Sequence, residues 1–233
     1  MVIPNGVELS KLALNFDEHE QRQMKISLGL DPNKLCVGTV GSLKSVKNHQ
    51  MLLEAARILQ SGREDLQFAI AGDGPLRNSL EETAASLRFP GDFHFLGLRN
   101  DVARVLQAFD IFSMHSSSED FSVAILEAMC ARLPVIATDV GGNAEIVDDC
   151  RTGLLIPSGD SHSLALCIAR LGGDATLRQR MGQGGFMRIE QHFTSAAATK
   201  RIEMLYIDCV RRKAPSLIQN NVTAATKRNS SRA

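Results

Sequence analysis

The stretch 116–142, SSSEDFSVAILEAMCARLPVIATDVGG, constrains the fold more than any other part of the chain. Before it, the short apolar run DIFSMH (110–115) reads as a buried strand. Apolar residues then recur at helical spacing between 121 and 131, and PVIA (134–137) reads as the next buried strand. Strand, polar loop, helix, strand is a βαβ unit, and its crossover sets the two strands parallel with the polar loop at their carboxyl end. Ligands of open α/β sheets bind there, where the free N–H groups of a helix N-terminus attract anions. Two carboxylates ride on this unit, Glu119 in the loop and Glu127 inside the helix. The polar run DVGG (139–142) follows the next strand on the same rim.

The rest of the chain repeats the alternation. Further buried strands are expected at 35–40, 66–71, 93–96 and 153–156, and helices at 17–28, 49–61, from the GDGP turn (72–75) to about 87, 161–171, 175–182 and 195–212. GSLKSVKN (41–48) joins the first strand to a helix. Its small residues allow a ligand close to the backbone, and Lys44 and Lys47 are placed to neutralise a diphosphate, although a merely solvated loop fits the spacing equally well. GDGP fails the dinucleotide fingerprint because Arg77 stands where the third glycine belongs. Pro75 suits a first helical position, so a simple strand-to-helix turn is as good a reading as ligand contact. Gly97-Leu98-Arg99 follows the third strand. A capping cluster at the helix N-terminus accounts for Glu119 and Asp120, but not for Glu127, set among Ile125, Leu126, Ala128 and Met129. His115, at a strand end, reads as a packed core residue.

Composition narrows the function classes. A hydrophobic content of 44% over 233 residues is ample for a packed core, and a formal net charge of zero gives no global field for nucleic acid. No Trp and a single Tyr leave few platforms for stacking bases or sugar rings. The five cysteines are scattered and odd in number, without a CxxC pair, which favours free thiols in a reducing compartment. No apolar run approaches the roughly 20 residues that span a bilayer, and no signal-peptide pattern begins the chain, so a cytoplasmic location is expected. Asp-x-Asp, HExxH, nucleophile-elbow and Walker motifs are all missing.

The paired glutamates in SSSEDFSVAILEAM, followed by LPVIATDVGGNAEIV, resemble the donor-binding domain of the retaining GT-B glycosyltransferases of family 4, the glycosyl transferases group 1. VIPNGV (2–7), GTVGSLKSVKN (38–48) and FAIAGDGPL (68–76) extend the resemblance in the right order over roughly 2–155. It implies a Rossmann-like doubly wound parallel sheet of about six strands, the C-terminal half of a GT-B fold, with a helical C-terminal tail. It implies transfer of a hexosyl-type sugar from a nucleotide diphosphate-sugar to an acceptor hydroxyl, with retention and without a metal or other cofactor.

Residue by residue, the resemblance gives Lys47 the donor diphosphate, with Lys47 and Glu119 as the catalytic pair and Glu119 against the donor sugar. Glu127 receives the ribose, since a carboxylate accepts two hydroxyl donors at once. Ser42, Lys44, Arg99, Phe121, Ser122 and Val123 complete the expected donor site. Two departures stand out: Ser42 occupies the position of the family's usual arginine, and Asp120 and Ser122 replace small glycines around Phe121.

The expected organisation is a leading segment and first helix (1–34), the nucleotide-sugar-binding domain (35–212) and a disordered basic tail (213–233). Ile202, Leu205 and Tyr206 of the last helix are expected to be partly stranded. The acceptor half of a GT-B enzyme is not recognised in the chain. One expectation is therefore a donor half that works with a separate N-terminal half on a sugar, lipid or polysaccharide acceptor, with a peripheral place at the inner membrane face as a further expectation. The alternatives are a non-catalytic nucleotide-sugar-binding module and an unrelated Rossmann-type oxidoreductase, against which the broken glycine fingerprint argues.

Overall fold

The computed structural model describes residues 4–59, 62–87 and 92–213. Six parallel strands form one sheet: β1 (Leu35–Val40), β2 (Leu66–Ala71), β3 (Phe93–Gly97), β4 (Ile111–Met114), β5 (Val135–Thr138) and β6 (Gly153–Ile156). Their spatial order is β3-β2-β1-β4-β5-β6, and every pairing is parallel. The chain winds outward from β1 in one direction and from β4 in the other, so the strand order reverses between β1 and β4. In a doubly wound sheet that reversal opens a crevice above the carboxyl ends of those two strands.

The helices are α1 (Leu9–Leu12), α2 (Glu18–Ser27), α3 (His49–Leu59), α4 (Arg77–Ala85), α5 (Val102–Leu106), α6 (Val123–Cys130), α7 (Asn143–Ile146), α8 (Ser161–Gly173), α9 (Ala175–His192) and α10 (Ser195–Lys213). A 3-10 turn spans Ser45–Lys47. Both faces of the sheet are covered, so its strands read as continuous apolar runs. On one face Phe68, Ile70, Ile111 and Ile136 pack with Leu52 and Leu53 of α3, Leu80 of α4 and Leu164 and Ile168 of α8. On the other, Cys36, Ala69, Phe112 and Val135 pack with Leu106 of α5, Leu126 and Met129 of α6 and Ile189 of α9. Each fully buried side chain of this size contributes about 1.5–3 kcal/mol, and together they fix the register that aligns the strand ends.

Two polar groups anchor this framework. Asp110 accepts from the Lys25 ammonium and from the Cys36 N–H, both at 2.7 Å, tying α2 to the start of β1 and β4. Gln67, fully buried on β2, holds the Asp31 turn through bonds of 2.9 Å and 2.7 Å. The leading segment packs into the same body: Val7 donates to Phe193 and accepts from Ser195.

The strand expectations hold to within a residue or so, and two helix expectations need correction. α9 continues ten residues past Gly182 to His192. Gly182 and Gly185 lie inside it as packing contacts, because a Cβ at Gly182 would overlap the Arg132 carbonyl and one at Gly185 would press on Met129. α4 begins at Arg77, so Pro75 lies in the turn rather than at the first helical position. The short helices α1 and α5 and the 3-10 turn had no periodic signal to announce them. α3 is described to Leu59, and the expected end at 61, residues 1–3 of the leading segment and the basic tail beyond 213 lie outside the described residues. Ile202 and Tyr206 of α10 are 43% and 70% exposed, as expected, and Leu205 is half-buried. Among the described residues no helix is long and apolar enough to cross a membrane.

Candidate functional site

The loops after β1 and β4 flank the reversal point, and they carry Lys47 and Glu119. Residues 41–48 are laced to the neighbouring turn: Gly41 N–H donates to Ala71, Leu43 N–H to Asp73 and Leu76 N–H to Leu43, at 3.0–3.1 Å. Gly72 (φ 153°) lies so close to this loop that a Cβ would overlap the Gly41 carbonyl oxygen. The GDGP turn thus backs the lysine loop. The 3-10 turn at Ser45–Lys47 ends at Asn48, in the left-handed region (φ 49°), and carries Lys47 toward β4. Ser117 N–H donates to Val46 at 2.8 Å and joins the two loops.

Across that junction the Lys47 ammonium forms an ion pair with Glu119 Oε1. Ser116 Oγ donates to the same oxygen at 2.7 Å, and the Thr138 hydroxyl holds the Ser116 carbonyl at 2.7 Å. Glu119 is 10% and Lys47 24% exposed at the side chain, so the pair is partly shielded from water while remaining reachable. The DVGG run closes the third side. Gly141 (φ 51°) sits against Glu119 so tightly that a Cβ would overlap its carbonyl oxygen, and Gly142 N–H donates to Asp120 at 3.0 Å.

Helix α6 starts beside this cluster. Ser122 caps it, accepting from Ile125 N–H, while no acceptor among the described residues takes the N–H groups of Val123 and Ala124. Glu119 is therefore not a capping residue of α6: its carboxylate is turned to Lys47 and Ser116. Glu127, one turn further along α6, is half-buried and has no hydrogen-bond or ion-pair partner among the described residues. Burial alone raises its pKa above the ordinary carboxylate value.

The remaining expected residues divide. Ser42 lies in the lysine loop, where its carbonyl accepts from Lys44 N–H at 2.9 Å and faces the His49 ring. Lys44 is exposed and Val123 is 45% exposed at the start of α6. Arg99, on the turn after β3, is held by Asp101 through bonds of 2.9 Å and 2.8 Å, so its charge is already matched. Phe121 points inward, its ring 5.8 Å from that of Phe193 and packed on the core, which leaves its backbone rather than its ring for the cleft. His115 is buried, as expected. Ser116 and His49 join the cluster without having been singled out in the sequence. Among the described residues no group of three His, Cys, Asp or Glu side chains is arranged to hold a metal ion.

A second concavity of about 620 Å³ lies at the opposite end of the sheet, beside the start of β6, lined by Arg151, Arg180, Arg188 and His192 with Asp148. Arg188 there is bonded to the Ile146 and Glu145 carbonyls, and Arg151 to Asp148. The convergence of two loops, a helix N-terminus, an ion pair and an unpaired carboxylate favours the crevice, and chemistry follows the convergent polar groups.

Comparison with known proteins gives the family. The family model described as Glycosyl transferases group 1 matches residues 20–188. The UDP-Gal:alpha-D-GlcNAc-diphosphoundecaprenol alpha-1,3-galactosyltransferase of Escherichia coli is 34% identical over 215 residues, 91% of this chain and 55% of that protein. The chain spans about half the length of the curated relatives it matches. Among solved structures, Anabaena Alr3699/HepE in complex with UDP-glucose superposes with a TM-score of 0.82 at 23% identity, covering 89% of this chain and 57% of that one. The C-terminal domain of a glycosyl transferase group 1 family protein, LpcC of Francisella tularensis, gives a TM-score of 0.74 at 25% identity, covering 82% of this chain and all of that one.

Proposed function

The chain belongs to the glycosyl transferases group 1 family, and from that premise we propose that residues 35–212 are the donor-binding half of a retaining, metal-independent glycosyltransferase that takes a UDP-hexose. The observation that carries the reading is the Lys47–Glu119 pair, drawn together from two loops at the strand reversal beside the first turn of α6. UDP as the nucleotide rests on the donor named for the Escherichia coli relative and on the Anabaena complex.

In this reading the diphosphate lies between residues 41–47 and the first turn of α6. Lys47 and the Val123 and Ala124 N–H groups face its oxygens, and each charge-assisted bond contributes about 1.5–3 kcal/mol. Glu127 accepts both ribose hydroxyls. Glu119, fixed by Lys47 and Ser116, faces the hydroxyls of the donor sugar and orients its anomeric carbon. As the bond from that carbon to the phosphate oxygen breaks, negative charge grows on the diphosphate, and preorganised cationic and N–H donors stabilise it most in the transition state. The acceptor hydroxyl attacks from the face the diphosphate leaves, which retains the configuration. Groups that bind the acceptor come from a second domain facing the crevice, on this protein or on another chain.

Calorimetric titration with UDP-, GDP- and ADP-sugars, in parallel on the protein and on Glu127→Ala, tests the proposal. Saturable binding of the UDP-sugar, weakened at least tenfold by the substitution, is expected. A folded protein that binds none of the three, or binds equally well without Glu127, would overturn it.

A further inference from the structure

Two histidines lie beneath the crevice, and the reading above gives neither a task. His49 opens α3 and His115 ends β4, and their side chains are buried, with 2% and 1% of each residue exposed. Their rings meet edge to face, 5.1 Å between centroids and 77° between planes. His49 Nε2 lies 3.2 Å from the Ser42 carbonyl oxygen, and His115 Nδ1 lies 2.8 Å from the Lys47 carbonyl oxygen. A carbonyl oxygen only accepts, so both of these nitrogens carry the proton. The tautomers are thereby fixed, Nε2–H on His49 and Nδ1–H on His115. The other nitrogen of each ring, His49 Nδ1 and His115 Nε2, is buried with no partner among the described residues.

That arrangement is costly as packing. A leucine or phenylalanine would fill the space without burying a bare nitrogen, and an unpartnered buried polar atom demands a reason. The reason lies in the two carbonyls. Ser42 and Lys47 stand near the two ends of one short loop, and nothing else among the described residues donates to the Lys47 carbonyl. We propose that His49 and His115 are positioning residues of the donor site: each donates its single N–H to one end of the 41–48 loop, and together they hold that loop so that the Lys47 ammonium stands at Glu119. The inference rests on the donor-site reading of Lys47. Burial lowers the pKa of both rings, that of His115 to about 3 with the His49 ring beside it, which favours the neutral form in which each ring carries a single N–H.

The test uses amides that place an N–H at different heights. Asparagine sets its N–H near the Nδ1 position of histidine and glutamine near Nε2. His115→Asn and His49→Gln therefore keep the donor, whereas His115→Gln and His49→Asn keep polarity and misplace it. Two readouts are taken: amide hydrogen exchange of residues 42–47 in the unliganded protein, and affinity for UDP against UMP. The misplaced pair is expected to speed exchange across 42–47 at least tenfold while β2 and β5 stay protected. It is also expected to weaken UDP about tenfold with UMP unchanged, an effect that disappears in a Lys47→Ala background. The matched pair is expected to behave as wild type in both. Equal exchange in matched and mismatched variants overturns the proposal, as does equal weakening of UDP and UMP. Silence of the wild-type protein toward UDP counts against the donor reading itself, and the exchange experiment then decides the histidines alone.

Discussion

Replacing Glu127 by glutamine is expected to move stability and binding in opposite directions. The carboxylate is half-buried on α6, meets no donor among the described residues, and has its pKa raised by burial alone. A raised folded-state pKa means that the native protein binds a proton more readily than the unfolded chain. Its effect on stability is therefore neutral below the ordinary glutamate pKa and becomes a deficit as pH rises through the raised value. Glu127→Gln removes that deficit, so the unliganded variant should melt at a higher temperature than wild type at pH 7.5, and the gap should close as pH falls toward 4.5. Binding responds the other way. Two ribose hydroxyls on one carboxylate are two charge-assisted bonds, and the amide oxygen retains one neutral acceptor. The loss is about 1.5–3 kcal/mol, roughly 10- to 150-fold in Kd. Wild-type affinity should also fall as pH drops through the raised Glu127 pKa, while the variant stays flat. Melting curves and calorimetry on the two proteins across pH 4.5 to 8 decide the matter. A variant that melts lower at pH 7.5, or binds UDP as tightly as wild type, would refute the reasoning.

Three further substitutions probe the frame around the crevice. Gly141→Ala puts a Cβ onto the Glu119 carbonyl at a left-handed φ, and should cost at least about 2 kcal/mol in urea unfolding, with weaker UDP-sugar binding in whatever folds. Ser42→Arg adds a fixed cation to the lysine loop and should tighten UDP about tenfold, one charge-assisted bond, with no gain for uridine. Asp110→Ala strands the buried Lys25 ammonium and the Cys36 N–H, and should lower unfolding free energy by about 3 kcal/mol without altering UDP affinity in the folded fraction.

The sheet was legible because its strands are buried on both faces and carry short continuous apolar runs between glycine and polar turns. LQFAIA and LCVGTV need no partner to be recognised. Helix limits were less so: the expected helix ended at 182, but Gly182 and Gly185 lie within α9, where they admit the Arg132 carbonyl and the Met129 side chain. In the site, motif order pointed to Lys47, Glu119 and Glu127. It could not reveal that Asp101 already holds Arg99, that Phe121 turns to Phe193, or that His49 and His115 brace the lysine loop, because each is a contact settled by packing. The capping alternative for Glu119 likewise needed coordinates, since Lys47 lies 72 residues away in sequence.

In this reading the crevice between β1 and β4, not the arginine-lined hollow beside α9, receives the nucleotide. A crystal structure of the protein with a UDP-sugar tests it most directly. The diphosphate is expected between residues 41–47 and the first turn of α6, within reach of Lys47, with the ribose hydroxyls on Glu127. A nucleotide lodged against Arg151, Arg180 and Arg188, or one in the crevice with Glu127 turned away from the ribose, would contradict it.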